Sequence, residues 1–339
     1  MEHKEGKRIL VYGMSDNPGG MESYILHRMR HMDSNECHFD MLTVFPEVAY
    51  RDELLAMGSR IYYVESFAAH PVKHIKRVCE IMRGYDALYM NILDAGAFGT
   101  ALAAKLAGKK VAVHSHNSDT DRPLLHKIGR PVLNLLSNER YACSEIAGTH
   151  MFGGRSFQVL ENEIDRGKFA FNPEARNRMR QLLGLEDQYV VCHVGRMVRQ
   201  KNPYGVLDLF SGLKEKQKDA VLLYVGDGDM KDELQDYIEK TFDQELKKAV
   251  KLLGVREDVP DLLSASDVFI LPSLYEGNPI SAIEAQENGL PCLIADTIEL
   301  RPVGKETYKI NINETEQWVE KLMEVRRVRY SSLTGRGRG

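Results

Sequence analysis

RILVYG at positions 8–13 is followed by the turn MSDNPG at 14–19 and then by GMESYILHRMRHM at 20–32. The first run is short, aliphatic and closed by glycine, as a strand buried on both faces would be. In the last segment apolar residues recur three and four apart, the spacing of one helix face. Strand, glycine turn and helix in that order form the opening of a doubly wound α/β domain.

The alternation continues outward from this stretch. Strand-like runs at 38–44, 60–64, 86–90 and 110–114 are separated by helical patterns at about 50–57, 70–83, 96–107 and 123–137. Such a βαβα succession predicts a mostly parallel sheet covered on both faces. YVVCHVG at 189–195 opens a second series, with a helix at 202–217, a strand at 220–226, a helix from about 230, and strands at 250–253, 267–271 and 291–294. With 339 residues, two domains of about 150 are expected in any case. The fold expected is therefore α/β, with two tandem Rossmann-like domains. The polar joint after VLENEID places the boundary near 165, so the domains run 1–165 and 166–327. Pro173 marks a helix start in the second domain. The small, basic stretch at 328–339 reads as a tail without structure.

Hydrophobic residues make up 43% and charged residues 28%, the balance of a water-soluble globular chain, and the net charge of −4 gives no general attraction to nucleic acid. The five cysteines, at 37, 79, 143, 192 and 292, are scattered, with no CxxC pair or zinc spacing. No signal peptide or membrane span is legible, so a cytoplasmic location is expected, with or without contact at the inner face of the cell membrane. His70–Arg83 (HPVKHIKRVCEIMR) is a basic amphipathic helix that could make such a contact with anionic lipid, although a solvated helix face has the same pattern.

Four stretches carry candidate chemistry. Gly19 and Gly20 follow the first strand, where glycine allows close backbone approach and a helix N-terminus favours anions; a plain tight turn has the same sequence. GxGxxG is missing, and Asp40, where a dinucleotide site would have its acidic residue, lies inside a strand pattern. HSHN at 114–117 ends the fifth strand, with His114 and His116 expected to point to opposite faces. Gly195-Arg196-Met197-Val198-Arg199-Gln200-Lys201 places cations at a strand end before a helix, where a diphosphate would sit. Pro272–Ala285 (PSLYEGNPISAIEA) follows another strand. Pro279 is expected to open a helix whose first amides, at Asn278 to Ser281, face an anion, and Glu284 lies too far along to cap it but well placed to accept bonds from vicinal hydroxyls. The residues alone thus describe a nucleotide or nucleotide-sugar site.

In this order and spacing the motifs resemble the retaining glycosyltransferases of family four (glycosyl transferases group 1), bacterial surface-polysaccharide type, over about residues 7–325. The resemblance implies the GT-B fold, two Rossmann-like domains facing a central cleft. It also implies transfer of a hexose or N-acetylhexosamine from a nucleotide-sugar to a glycan or lipid-linked acceptor, a UDP-sugar being favoured over a GDP-sugar. Arg196, Lys201, Gly19, Gly20, Asn278, Pro279 and Ile280 would then hold the diphosphate. Glu284 would hold the ribose and Leu253-Gly254-Val255 the base. His116 and Glu276 would act at the transferred sugar. No metal or other cofactor is implied, because cations and helix dipoles neutralise the leaving diphosphate. Two positions depart from the family pattern. Glu163 replaces the glycine of an Asn-Gly turn, which predicts strain, and the helix that would cross back to the first domain looks shortened. A nucleotide-sugar epimerase of the same shape and an inactive, C-terminally truncated binding remnant are the competing readings.

Overall fold

The structure is a computed structural model that describes residues 6–33, 36–300 and 306–334, with side chains to 326 in the last helix. The expected tail from 335 onward lies outside the described residues. The chain divides into two compact units. One runs to Glu163 and also takes in Glu276–Asn278; the other comprises Ile164–Tyr275 and the chain from Pro279 on.

The first unit holds a seven-stranded sheet. Its strands are β1 (Lys7–Tyr12), β2 (Cys37–Thr43), β3 (Ile61–Tyr63), β4 (Ala87–Ile92), β5 (Lys110–Ser115), β6 (Glu139–Ala142) and β7 (Gln158–Val159). They lie in the order β3-β2-β1-β4-β5-β6-β7, every pair parallel. β1 therefore sits between β2 and β4, and the winding reverses there, where open α/β sheets bind ligands. Leu10, Val11, Leu88, Met90, Val111 and Val113 are fully buried, which is why these strands read as continuous apolar runs.

Asp40 is buried inside β2 and serves the fold. It accepts from Arg60 N–H (2.6 Å), Tyr85 Oη (2.5 Å) and Arg8 (3.0 Å). Burial pushes its carboxyl pKa up, but these donors outweigh it and hold the group below its ordinary value. The helix Pro71–Met82 turns Val78, Ile81 and Met82 inward and leaves Lys73, Lys76 and Arg77 in water.

The second unit holds a six-stranded parallel sheet. It comprises β8 (Tyr189–Val194), β9 (Ala220–Val225), β10 (Val250–Leu252), β11 (Val268–Leu271), β12 (Cys292–Ala295) and β13 (Thr307–Ile310), in the order β10-β9-β8-β11-β12-β13. All six residues of β9 are buried. Here the reversal falls between β8 and β11. The last helix runs Thr315–Thr334, beyond the expected end at 327. Its Trp318 is fully buried, with Nε1–H donating to Asn311 O at 3.0 Å.

The strain expected at Glu163 is absent. Among the described residues the non-glycine positions with positive φ are Tyr50 and Asn202, so the turn at Glu163 is built without a left-handed residue.

Candidate functional site: two carboxyl-edge loop clusters

In the first unit the reversal point is shaped by Gly13, just past β1. Its φ is +127°, and a Cβ there would lie 2.1 Å from Asn91 O, so only glycine lets β1 end against β4. The chain then turns through Ser15, whose N–H (3.3 Å) and Oγ–H (2.6 Å) both donate to the buried Glu22 carboxylate. Gly19 caps the helix Gly20–Arg30 in extended conformation, with no side chain occupying the cap. Its first-turn amides are thus left to backbone, water or ligand.

His114 and His116 do not point to opposite faces. Residues two apart on a strand share a face, and the rings lie 4.1 Å apart at 33°. Tyr24 packs on both, 5.0 Å from each ring centroid. His114 Nδ1 shares a 2.7 Å hydrogen bond with Tyr89 Oη, while its Nε2 is buried without a partner. His116 Nε2–H donates to Asn91 Oδ1 at 2.9 Å, which leaves Nδ1 with the lone pair. Burial pushes the His116 pKa down to about 3, and burial first, then the neighbouring His116, pushes His114 far down as well. Both rings are neutral near pH 7, able to donate and accept hydrogen bonds without adding charge.

The segment Glu276–Asn278 packs on this cluster. Ser118 Oγ–H donates to Glu276 O at 2.7 Å, and Asn162 Nδ2–H donates to Asn278 O at 2.7 Å. A Cβ on Gly277 would lie 2.3 Å from His116 O and 2.7 Å from Cys143 Sγ, so glycine is required for the fit. Glu276 is buried there. His116 and Glu276, singled out separately in the sequence, thus belong to one cluster.

In the second unit, Gly195 follows β8 and Gly226 follows β9. Gly226 has φ +135°, and a Cβ on it would lie 2.1 Å from Gly195 O, the same device as Gly13. The cationic loop is pinned by Met197, fully buried, whose N–H donates to Asp227 O at 2.9 Å. Arg196 beside it is only partly buried and Arg199 is exposed. Gln200 ties this loop to the one after β11: its Nε2–H donates to Tyr275 O (3.1 Å), and Leu274 N–H donates to its backbone O (2.8 Å). Asn202, at φ +52°, caps the helix Pro203–Lys216 by accepting from Gly205 N–H, and its Nδ2–H reaches Pro272 O at 3.0 Å. The loops after β8 and β11 are thus locked together at the reversal point.

Pro279 is the cap of the helix Ile280–Glu287 and does not lie within its first turn as expected. The cap has no side-chain hydrogen bond, so the N-terminal amides keep their affinity for anions. Glu284, partly buried on this helix, has no hydrogen bond or ion pair among the described residues. Burial pushes its carboxyl up to about 8, against the pull of Lys168. Leu253-Gly254-Val255 follows β10. Gly254 has φ +65°, accepts from Gly226 N–H at 2.8 Å, and leaves Val255 half exposed (50%). Arg196, Lys201, Pro279, Ile280, Glu284 and Leu253–Val255 therefore all belong to the second unit, whereas Gly19, Gly20 and Asn278 belong to the first. Among the described residues no group of three or more His, Cys, Asp or Glu is placed to hold a metal ion. No described helix is long and apolar enough to cross a membrane.

Gly13, Asn91 and Gly226 have no role assigned from sequence, while Gln200 and Gly277 enter there only as members of the quoted motifs. The glycines closing VYG and YVG at the ends of β1 and β9 were the one available signal for two of them. The others depend on which strands and loops become neighbours.

Two parallel-sheet α/β units with a cationic, glycine-shaped carboxyl edge define a GT-B glycosyltransferase. The chain belongs to the glycosyl transferases group 1, whose family pattern matches residues 175–325. It is 34% identical to the putative glycosyltransferase EpsF of Bacillus subtilis over 86% of this chain and 80% of that protein. It is 30% identical to the UDP-Gal:alpha-D-GlcNAc-diphosphoundecaprenol alpha-1,3-galactosyltransferase of Escherichia coli over 71% of this chain and 66% of that protein. Among solved structures, HepE from Anabaena in complex with UDP and glucose superposes with a TM-score of 0.76 at 21% identity, covering 96% of this chain and 95% of that one.

Proposed function

We propose that the chain is a retaining family-four hexosyltransferase. It takes a hexose or N-acetylhexosamine from a UDP-sugar and passes it to a glycan or lipid-linked acceptor in surface-polysaccharide assembly. The observation that carries this reading is the grouping on the second sheet's carboxyl edge of the Arg196–Lys201 loop, the uncapped helix at Ile280 and a Glu284 that has no partner among the described residues. Arg196 and Lys201, with the amides at Ile280, hold the diphosphate and neutralise it as it leaves, so no metal ion is required. Glu284 ionises as it accepts from two ribose hydroxyls, and Leu253–Val255 lies against the base. Gly19 and Gly20 leave the first helix's amides open to a phosphate. His116, held neutral by burial, and Glu276 meet the sugar being transferred. Support comes from the relative named for a UDP-Gal donor and a diphosphoundecaprenol-linked acceptor, and from the UDP-bound neighbour. These relatives do not favour the epimerase and inactive-remnant readings.

Thermal unfolding with UDP, GDP and NAD, on the wild type and on Glu284→Ala, tests the donor site. A ligand at about 100 times its Kd stabilises by about 2.7 kcal/mol, and we expect that shift with UDP in the wild type only. A shift with NAD alone removes the reading. The anomeric configuration of the transferred sugar, read by NMR, tests retention: an inverted product refutes it.

A further inference from the structure

The helix Pro123–Leu136 carries an apolar stripe on its outer face as well as its inner one. Leu124, Ile128 and Leu135 are 72%, 58% and 77% exposed, and with exposed Pro131 they form one stripe at spacings of four, three and four residues. The inward face mixes the fully buried Leu133 with the polar His126 and Asn134. His126 Nδ1 accepts from Ala95 N–H (3.3 Å), and Asn134 Nδ2–H donates to Met151 O (3.0 Å). Gly129 fixes the rotation, since a Cβ there would lie 2.3 Å from Ala95 O. The helix therefore cannot roll its leucines inward without breaking these contacts. Single exposed apolar residues are ordinary on protein surfaces, but an aligned row of aliphatic side chains is the feature of a contact face.

The surroundings of the stripe are basic. No Asp or Glu lies between Pro123 and Leu136, and Lys127 is exposed beside Ile128. In the same helical layer Pro71–Met82 packs on Phe98–Leu106, which packs on Pro123–Leu136. It adds the exposed Lys73 and Lys76, neither of them in an ion pair among the described residues, and Arg77, which is paired with Glu80. Arg122 is held by Asp94, and Asp119 and Asp121 lie only in the loop before the helix. The basic helix expected from sequence to meet lipid buries its own apolar residues and exposes Val72 alone among its long aliphatics (79%). It brings charge, and the neighbouring helix brings the apolar side chains.

We propose that the outer face of Pro123–Leu136 docks on an anionic lipid bilayer. Leu124, Ile128 and Leu135 enter the interface while Lys127, Lys73 and Lys76 meet headgroup phosphates. A free phosphate would leave the aliphatic stripe in water. A second copy of this chain would set the same lysines against each other. The proposal rests on the lipid-linked acceptor reading, since an acceptor held in a bilayer requires the enzyme at its surface.

Co-sedimentation of the full chain with phosphatidylcholine vesicles, with and without phosphatidylglycerol, tests it. The chain is expected to pellet with the anionic vesicles, and added salt is expected to weaken binding without abolishing it. The triple variant Leu124→Ser, Ile128→Ser, Leu135→Ser is expected to lose about tenfold or more in partitioning, with an unchanged melting temperature and an unchanged shift with UDP. Inorganic phosphate at the vesicles' phosphate concentration should leave binding intact. Three results overturn the proposal. One is no binding to either vesicle, and another is full binding by the triple variant with loss only in Lys73→Glu, Lys76→Glu. The third is concentration-dependent dimerisation that the triple variant abolishes. If the UDP shift is missing in the wild type as well, it is the donor-site reading that has failed, and vesicle binding is judged separately.

Discussion

The two sheets are wound alike and end alike, yet burial-depressed histidines gather in the first unit, while a carboxyl raised by burial stands in the second. Gly13 and Gly226, each at the end of a strand, both have positive φ and both would place a Cβ 2.1 Å from a neighbouring backbone oxygen. Behind that shared frame, the first unit holds His74, His114, His116, His126 and His150, each with burial pushing its pKa down. The second unit has His193, pushed down by burial to about 3, and the carboxyl of Glu284, pushed up to about 8. The first edge sets the neutral imidazoles His114 and His116 beside Glu22 and Glu276. The other gathers cations and an acid that has no partner among the described residues.

The largest test of this contrast is acid unfolding. A histidine whose folded pKa is depressed binds its proton only in the unfolded chain. Stability therefore falls as pH drops below about 6.5, the ordinary histidine value, by up to about 1.4 kcal/mol per pH unit for each such group. The first unit has five of them and the second has one. We expect the first unit to unfold first on acidification toward pH 4. The single tryptophan, Trp318, is buried in the second unit and reports on it alone. Far-UV circular dichroism should fall in part before Trp318 fluorescence moves. Coincident transitions would show that the units are not independent in acid.

A smaller effect should separate the edges functionally. Arg196→Ala or Lys201→Ala removes a charge-assisted contact to phosphate, worth about 1.5–3 kcal/mol, so UDP binding should weaken roughly tenfold to a hundredfold. His116→Ala and Asn91→Ala should leave UDP affinity near wild type and lower turnover, because Asn91 Oδ1 fixes which ring nitrogen of His116 carries the proton. Calorimetric titration with UDP beside a transfer assay checks both. Equal losses of affinity from the two sets would erase the division of labour. For the wild type, burial of His116 near pKa 3 predicts no histidine inflection from that residue in the rate profile between pH 5 and 8.

How far such residues could be read in advance depends on the range of the interactions that place them. YVVCHV and AVLLYV were legible because a strand buried on both faces is apolar at every position. ERYA at β6 and TYKI at β13 were not, since four-residue, half-polar runs carry little periodicity. Arg196, Lys201 and Glu284 stood out because strand ends and helix starts are local signals. Asn91 did not, because its partner His116 comes from a strand set beside it only by the sheet order. The facing of His114 and His116 was misread through a slip in strand period, which the ring stacking corrects. The grouping of Glu276–Asn278 with the first unit likewise depends on contacts formed across more than a hundred residues of sequence.

The finest test concerns one proton on Glu284. Its carboxyl pKa moves from an ordinary 4.5 to about 8 on folding, so the folded chain holds a proton that the unfolded chain has lost. The sign is opposite to that of the histidines. The stability tied to this group is intact below pH 4.5 and declines as pH rises through 8. Glu284→Gln, which stays neutral, should flatten that alkaline slope and leave the acid limb unchanged. Ligand reverses the linkage. Ribose hydroxyls donate to the ionised carboxylate, so UDP must release the proton in order to bind. UDP affinity should therefore rise between pH 6.5 and 8 in the wild type and stay level in Glu284→Gln, with proton release visible as a buffer-dependent heat of binding. A slope that survives the substitution would move the nucleotide contact to another residue, while the cationic loop and the helix start would still carry the diphosphate.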